Sequence, residues 1–208
     1  MQQLFNQTLR FTDHHGNPFP DWQEKRLGEV ASKVKTKNTA STERAVLTNS
    51  ATQGIIDQSD YFDKDIANQE NLEGYYIVDV DDFVYNPRIS VTAPVGPLNR
   101  NELKRGVMSP LYTVIRFKIG NLAFYQSYFS TTCWHKHMCA VANYGARHDR
   151  MNITGSDFFD MPVPYPCPAE QKKIADCLSA VDRKIGQVET QVAQTREFKK
   201  GLLQKMFV

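Results

Sequence analysis

PVPYPCPAEQKKIADCLSAVD, residues 162–182, divides this chain into two parts. Proline stands at 162, 164, 166 and 168, so every second residue lacks an N–H and has its φ held near −65°. Such a run is extended, and no helix can begin before Pro168, which itself suits a first helical turn. Residues 162–168 therefore read as a stiff, proline-rich connector between two bodies.

Downstream, no proline occurs as far as Val208, and the only glycines are Gly186 and Gly201. Apolar residues recur at Ile174, Leu178, Val181, Ile185, Val188 and Val192, in steps of four and three that define an a/d seam. The rhythm falters at Thr195 and resumes at Phe198, Leu202 and Met206, a stammer-like shift. This predicts one helix over residues 169–208, about 55 to 60 Å long at ~1.5 Å per residue. Its stripe is narrow and its other faces carry Lys, Arg, Glu, Gln and Asp, so it needs a partner. It either folds back on its own domain or pairs with a helix of another chain. The sequence holds no second helix of matching length, which favours the other chain, with Ile174 to Leu202 as the contact residues.

Upstream the texture is mixed. YYIVDVDDFVYNP (75–87) and LYTVIRFKI (111–119) are the best strands, rich in β-formers and bounded by turn residues. VTAPVGPLNRN (91–101) cannot be a central strand, because Pro94 and Pro97 lack ladder donors. Residues 121–145 space their aromatic and apolar residues in a helical rhythm that Gly145 would end. The fold class is α+β: a lead-in (1–20), a mixed globular domain (21–161), the connector (162–168) and the long coiled-coil helix (169–208).

The 208 residues carry 25 Lys and Arg against 23 Asp and Glu, a net charge of +2. Any basic surface must therefore be local. No apolar run approaches the roughly 20 residues that span a bilayer, and no basic-then-apolar leader is present, which reads as a soluble, cytoplasmic protein. Cys133, Cys139, Cys167 and Cys177 form no C-x-x-C pair and read as free thiols.

Few stretches suggest chemistry. Tyr85-Asn86-Pro87 is similar to the adenine-binding element of amino-methyltransferases, but Arg88 and Ile89 depart from it and no glycine-rich cofactor loop is visible. CWHKHMC (133–139) would put its outer residues ~20 Å apart on a strand, or scatter them around a helix, so it is a poor metal site. NYGARHDRMNIT (143–154) gathers Tyr144, Arg147, His148, Arg150 and Asn152, donors suited to phosphates and base edges. Smaller basic clusters lie at Lys33, Lys35 and Lys37 and around Arg100, Lys104 and Arg105. No nucleophile with a base, carboxylate pair or phosphate loop stands out, so no catalytic residues, metal or cofactor are expected.

Taken together, LRFTDHHGNPFPDWQEKRLGEV (9–30), FVYNPRISV (83–91), GVMSPLYTVIRF (106–117), GARHDRMNI (145–153) and the proline run leading to KKGLLQKMF (199–207) resemble the specificity subunits of type I restriction-modification systems. The resemblance implies a non-catalytic target-recognition domain that reads half of a bipartite double-stranded DNA site. It also implies a helix that spaces two such domains and carries the methyltransferase and restriction subunits. Full subunits hold two domain-helix units with antiparallel helices; this chain holds one, so a homodimer through the helix is expected. DNA contacts are expected from Lys33, Lys35, Lys37, Arg88, Arg105, Tyr144, Arg147 and His148. A coiled-coil adaptor without a DNA role and an adenine methyltransferase fragment are the alternatives.

Met1 to Phe5 echoes Leu203 to Phe207, the way one helix tail meets the next domain in a two-unit subunit. On that reading the chain is the second half of such a subunit, and residues 1–8 should matter little to the fold.

Overall fold

A computed structural model describes residues 1–58, 72–143 and 149–206. The two segments richest in β-formers lie at its centre. Strands β6 (Phe83–Tyr85) and β9 (Thr113–Phe117) pair antiparallel, with Phe83 opposite Ile115 and Val84 opposite Val114. β2 (Ala31–Lys33) and β7 (Leu98–Arg100) complete a four-stranded sheet in the order β2-β9-β6-β7. β7 starts directly after Pro97 and lies at the edge, where a missing donor is tolerated.

Side chains alternate across this sheet. Phe83, Tyr85 and Ile115 face the larger core with Phe124, Tyr125, Tyr128 and Phe129 of α3 (Leu122–Phe129). Val84 and Val114 face a smaller core with Leu47, Ile55, Val78 and Met108. That second layer comes from the hairpin β3 (Leu47–Ser50) and β4 (Gly54–Asp57) and the pair β5 (Tyr76–Val78) and β8 (Gly106–Met108). Burial on both faces explains why β6 reads as an unbroken apolar run.

The helix expected over residues 121–145 is two helices, α3 and α4 (His135–Val141). Thr131 Oγ1 donates to Tyr128 C=O and Ser130 Oγ to Gln126 C=O, local bonds that compete with the helical ladder and divide the run. The helical run ends at Val141, and Gly145 lies outside the described residues. α5 (Gly155–Phe159) follows, capped by Thr154.

The proline run is not a free-standing strut. Pro162–Tyr165 forms β10, antiparallel to β1 (Gln23–Arg26) beside the short α2 (Leu27–Val30). Leu27 N–H donates to Met161 C=O. By the alternation of an antiparallel ladder, residues 163 and 165 then take the bonded positions, and Pro162 and Pro164 need no donor. The spacing that forbids helix is thus also compatible with one edge of a sheet.

The N-terminal residues are also not dispensable to packing. α1 (Gln2–Phe5) buries Leu4 and Phe5, and the Phe5 ring lies 5.3 Å from that of Phe124 and 5.5 Å from that of Tyr128.

From Pro168 to Met206 runs α6, 39 residues and about 58 Å at 1.5 Å per residue. Its first turns dock on the body: Glu170, Gln171, Ile174, Ala175 and Leu178 are buried, with Ile174 and Leu178 in the larger core. These two residues, expected at a partner helix, are therefore held by their own domain, because α3 covers the start of the stripe. From Val181 the stripe is exposed. No described helix is long and apolar enough to cross a membrane.

Candidate nucleic-acid interface

Most arginines of the domain are already engaged by carboxylates. Arg116 donates from Nε and Nη2 to both oxygens of Asp82, at 2.6 and 2.7 Å, and reaches Asp79 at 2.6 Å. These hydrogen bonds, Asp82 first, push its pKa above the ordinary arginine value and fix its charge. Arg100 holds Asp81, and Arg105 bridges Glu43 and Asp79 at 2.8 and 2.6 Å. Lys104 pairs with Asp57. The cluster around residues 100–105 thus closes the turn at Asp79–Asp82 onto its neighbours. Arg105, expected to contact DNA, spends its guanidinium there.

Other cations are uncommitted. Lys33, Lys35 and Lys37 are all exposed, and none has an ion pair among the described residues. Lys33 ends edge strand β2 opposite Ile115, while Lys37 bridges to Tyr76. Asn38 then clamps Glu43 through both its amide groups, which closes the loop and brings Arg44, another exposed cation, back beside the run. Sequence reading passed over Arg44 because it stands alone.

Where the run ends, at Lys37 beside Tyr76, it adjoins a cleft of about 370 Å³ lined by residues that include Thr48, Gln58, Tyr75, Asn86, Arg88 and Tyr112. A smaller chamber of about 130 Å³ shares Asn86, Arg88, Ser109 and Tyr112 with it and adds Arg150. Tyr75 joins cleft and lysines, since its C=O accepts from Asn38 N–H, one residue past Lys37. Among the described residues, no Asp or Glu lines either chamber.

The cleft is rigidly floored. Buried Asn49 donates to Val84 C=O at 2.7 Å and Pro97 C=O at 3.2 Å, and accepts from Asn99 at 2.7 Å, tying the β3–β4 hairpin to the central sheet. Gly96 has φ +81° and lies against Asn86 C=O with no room for a Cβ. Asn86 is held in place from both ends of its amide: its Nδ2 donates to Asn49 C=O and its Oδ1 accepts from Arg88 N–H.

Arg88 and Arg150, 62 positions apart in sequence, face each other across a β-bridge. Arg88 Nε lies 3.8 Å from Asp149 in an exposed pair, a contact worth about 0–1 kcal/mol that a phosphate or base edge can replace. Asn143 and Asn152 also pair, at the base of the segment with Tyr144, Arg147 and His148. Those three expected contacts lie outside the described residues. Among described residues no His, Cys, Asp and Glu group could hold a metal. Of CWHKHMC, Cys139 is exposed and the His137 ring bonds Asp157 C=O.

A cleft with no acid among its described lining residues, two bridged arginines and an edge bearing free lysines are features suited to a polyanion. The profile of the type I restriction-modification DNA specificity domain matches residues 20–194, and the chain belongs to that family, whose role in these systems is specificity rather than catalysis. No curated protein sequence matches significantly. Among solved structures, the HsdS subunit from Thermoanaerobacter tengcongensis aligns at TM-score 0.59 and 17% identity, over 89% of this chain and 48% of that one. The type I R-M system S subunit from M. genitalium aligns at 0.57 and 12%, over 91% and 45%. A chain from a study of complex assembly and conformational transition in the type I R-M system aligns at 0.59 and 17%, over 91% and 50%. They share the fold, and this chain spans about half their length.

Proposed function

We propose that this chain reads one half of a bipartite double-stranded DNA target and pairs through α6 with a second copy. The pair would present two recognition domains to an interrupted, two-fold symmetric sequence in the cytoplasm. It would carry the methyltransferase and restriction subunits of a type I complex and perform no chemistry itself.

The observation that carries the reading is the sorting of cations. Arg100, Arg105 and Arg116 are held by carboxylates, whereas Lys33, Lys35 and Lys37 have no ion pair among the described residues and the weakly paired Arg88 lines a cleft with no acid among its described lining residues. Lysines along an edge suit phosphates, and Arg88 with Arg150 suits base edges. Co-expression with the neighbouring methyltransferase subunit and mapping of methylated sites tests this. A symmetric interrupted motif, altered by Arg88→Ala, is expected; methylation that does not depend on this chain refutes it. Ile185→Asp should abolish pairing in light scattering, because it places a charge within the exposed stripe.

A further inference from the structure

Resting on the proposed homodimer, the exposed face of α6 also specifies how two copies align. The chain's own body covers the seam at Ile174 and Leu178. Beyond it, Val181 and Ile185 are each 50% exposed, Val188 and Val192 44%, Leu202 46% and Met206 73%. With Lys199 rather than Phe198 taken as the position after Thr195, the stammer-like shift disappears and these positions follow one heptad rhythm.

With the antiparallel arrangement expected of the family, we propose that two copies pair with the two-fold axis between residues 193 and 194. Val181 then faces Met206 of the copy, Ile185 its Leu202, Val188 its Lys199 and Val192 its Thr195. Phe198 flanks the seam beside Gln191, and the Lys199 stem lies along Val188 with its ammonium in water.

A parallel pair fails on space. Its helices would run about 8–10 Å apart from the first turn, yet the face at Ile174 and Leu178 is already occupied by each copy's own domain. It would also set Lys199 against Lys199 in the seam.

Antiparallel registers that keep a and d residues together differ by whole heptads. Shifting one heptad toward the domains brings Leu202 and Met206 onto Leu178 and Ile174, which are covered, and turns Glu189 toward Glu189 of the copy. Shifting one heptad away turns Arg196 toward Arg196 of the copy. Only the central register among these three sets Glu189 beside Arg196 of the copy, twice, around the axis. Its like-charge contact, Lys184 with Lys205, is also made twice, but it falls at the exposed ends and is screened by solvent.

The test is a charge-swap cycle on the full chain, read as dimer dissociation constant by sedimentation equilibrium. Glu189→Arg and Arg196→Glu should each weaken the dimer about tenfold, since each single change replaces two attractive contacts by two repulsive ones. The double variant should return to within about twofold of the parent. A dimer that ignores the single changes, or that the double change does not restore, overturns this register while leaving the homodimer standing. A parent chain that is monomeric at high concentration overturns both, and assigns the stripe to a different helix.

Discussion

Cutting the anchor between α6 and the domain should show how firmly the long helix is held. Glu170 has a fully buried side chain, while that of Arg10 is 23% exposed. Arg10 donates to it from Nε at 3.2 Å and from Nη2 at 3.3 and 2.9 Å, and also reaches the carbonyls of Phe19 and Pro20. The bond to Glu170 leads the causes that raise the Arg10 pKa above its ordinary value. Arg10→Ala strands a buried carboxylate, which costs about 3–5 kcal/mol when no water can reach it. Arg10 is partly exposed, so water follows into the gap and the lower end, about 3 kcal/mol, is expected. With a urea slope of about 2–3 kcal/mol/M, the unfolding midpoint should fall by about 1–1.5 M. Removing Glu170 as well should recover part of the loss, because the stranded charge is gone. A midpoint that falls by less than about 0.3 M in Arg10→Ala, or strictly additive losses in the double variant, would refute the anchor.

Three further outcomes follow from the same geometry. Changing Lys33, Lys35 and Lys37 together to Gln should weaken binding to all duplexes and lower the salt slope by about 1 per lost phosphate contact, measured by anisotropy at several salt concentrations. Gly186→Ala puts a Cβ into open space on α6 and should stabilise the helix by about 1 kcal/mol, seen as a higher melting temperature of the dimer. Burial lowers the pKa of His135, so the unfolded chain takes up its proton more readily. Stability should therefore fall as pH drops below about 6.5, less steeply in His135→Gln, by thermal melts across pH.

What the sequence makes legible is what its local chemistry enforces. Pro168 opens α6 because proline is tolerated in a first turn, and FVY reads as a strand because β6 is buried on both faces. What it hides depends on residues that meet only after folding. Ile174 and Val181 are equivalent positions of one stripe, and only the arrival of α3 makes one core and leaves the other exposed. Leu4 and Phe5 look like a loose end until the rings of Phe124 and Tyr128 close on Phe5. The cleft draws Thr48, Tyr75, Arg88, Tyr112 and Arg150 from separate segments, so no spacing announces it. Arg105 stands out as a cation in sequence, but its partners Glu43 and Asp79 are 62 and 26 positions away.

The Glu170-Gln171 pair explains how the exposed face of α6 is chosen. Gln171 is buried, its Oε1 accepting from Asn121 N–H at 2.8 Å and its Nε2 donating to Pro166 C=O at 2.8 Å. Those groups belong to the start of α3 and the end of the proline run, places where backbone partners are scarce. An apolar residue there would fill the space but leave both unsatisfied, at about 1–3 kcal/mol each. Apolar packing also tolerates some rotation of a helix about its axis, whereas directional bonds at neighbouring positions do not. Since residues on a helix are ~100° apart, a turn of α6 by one position would swing Val181, Ile185 and Val188 to a different side of the helix. The polar anchor therefore fixes at residues 170 and 171 which face of α6 is left exposed from residue 181 onward.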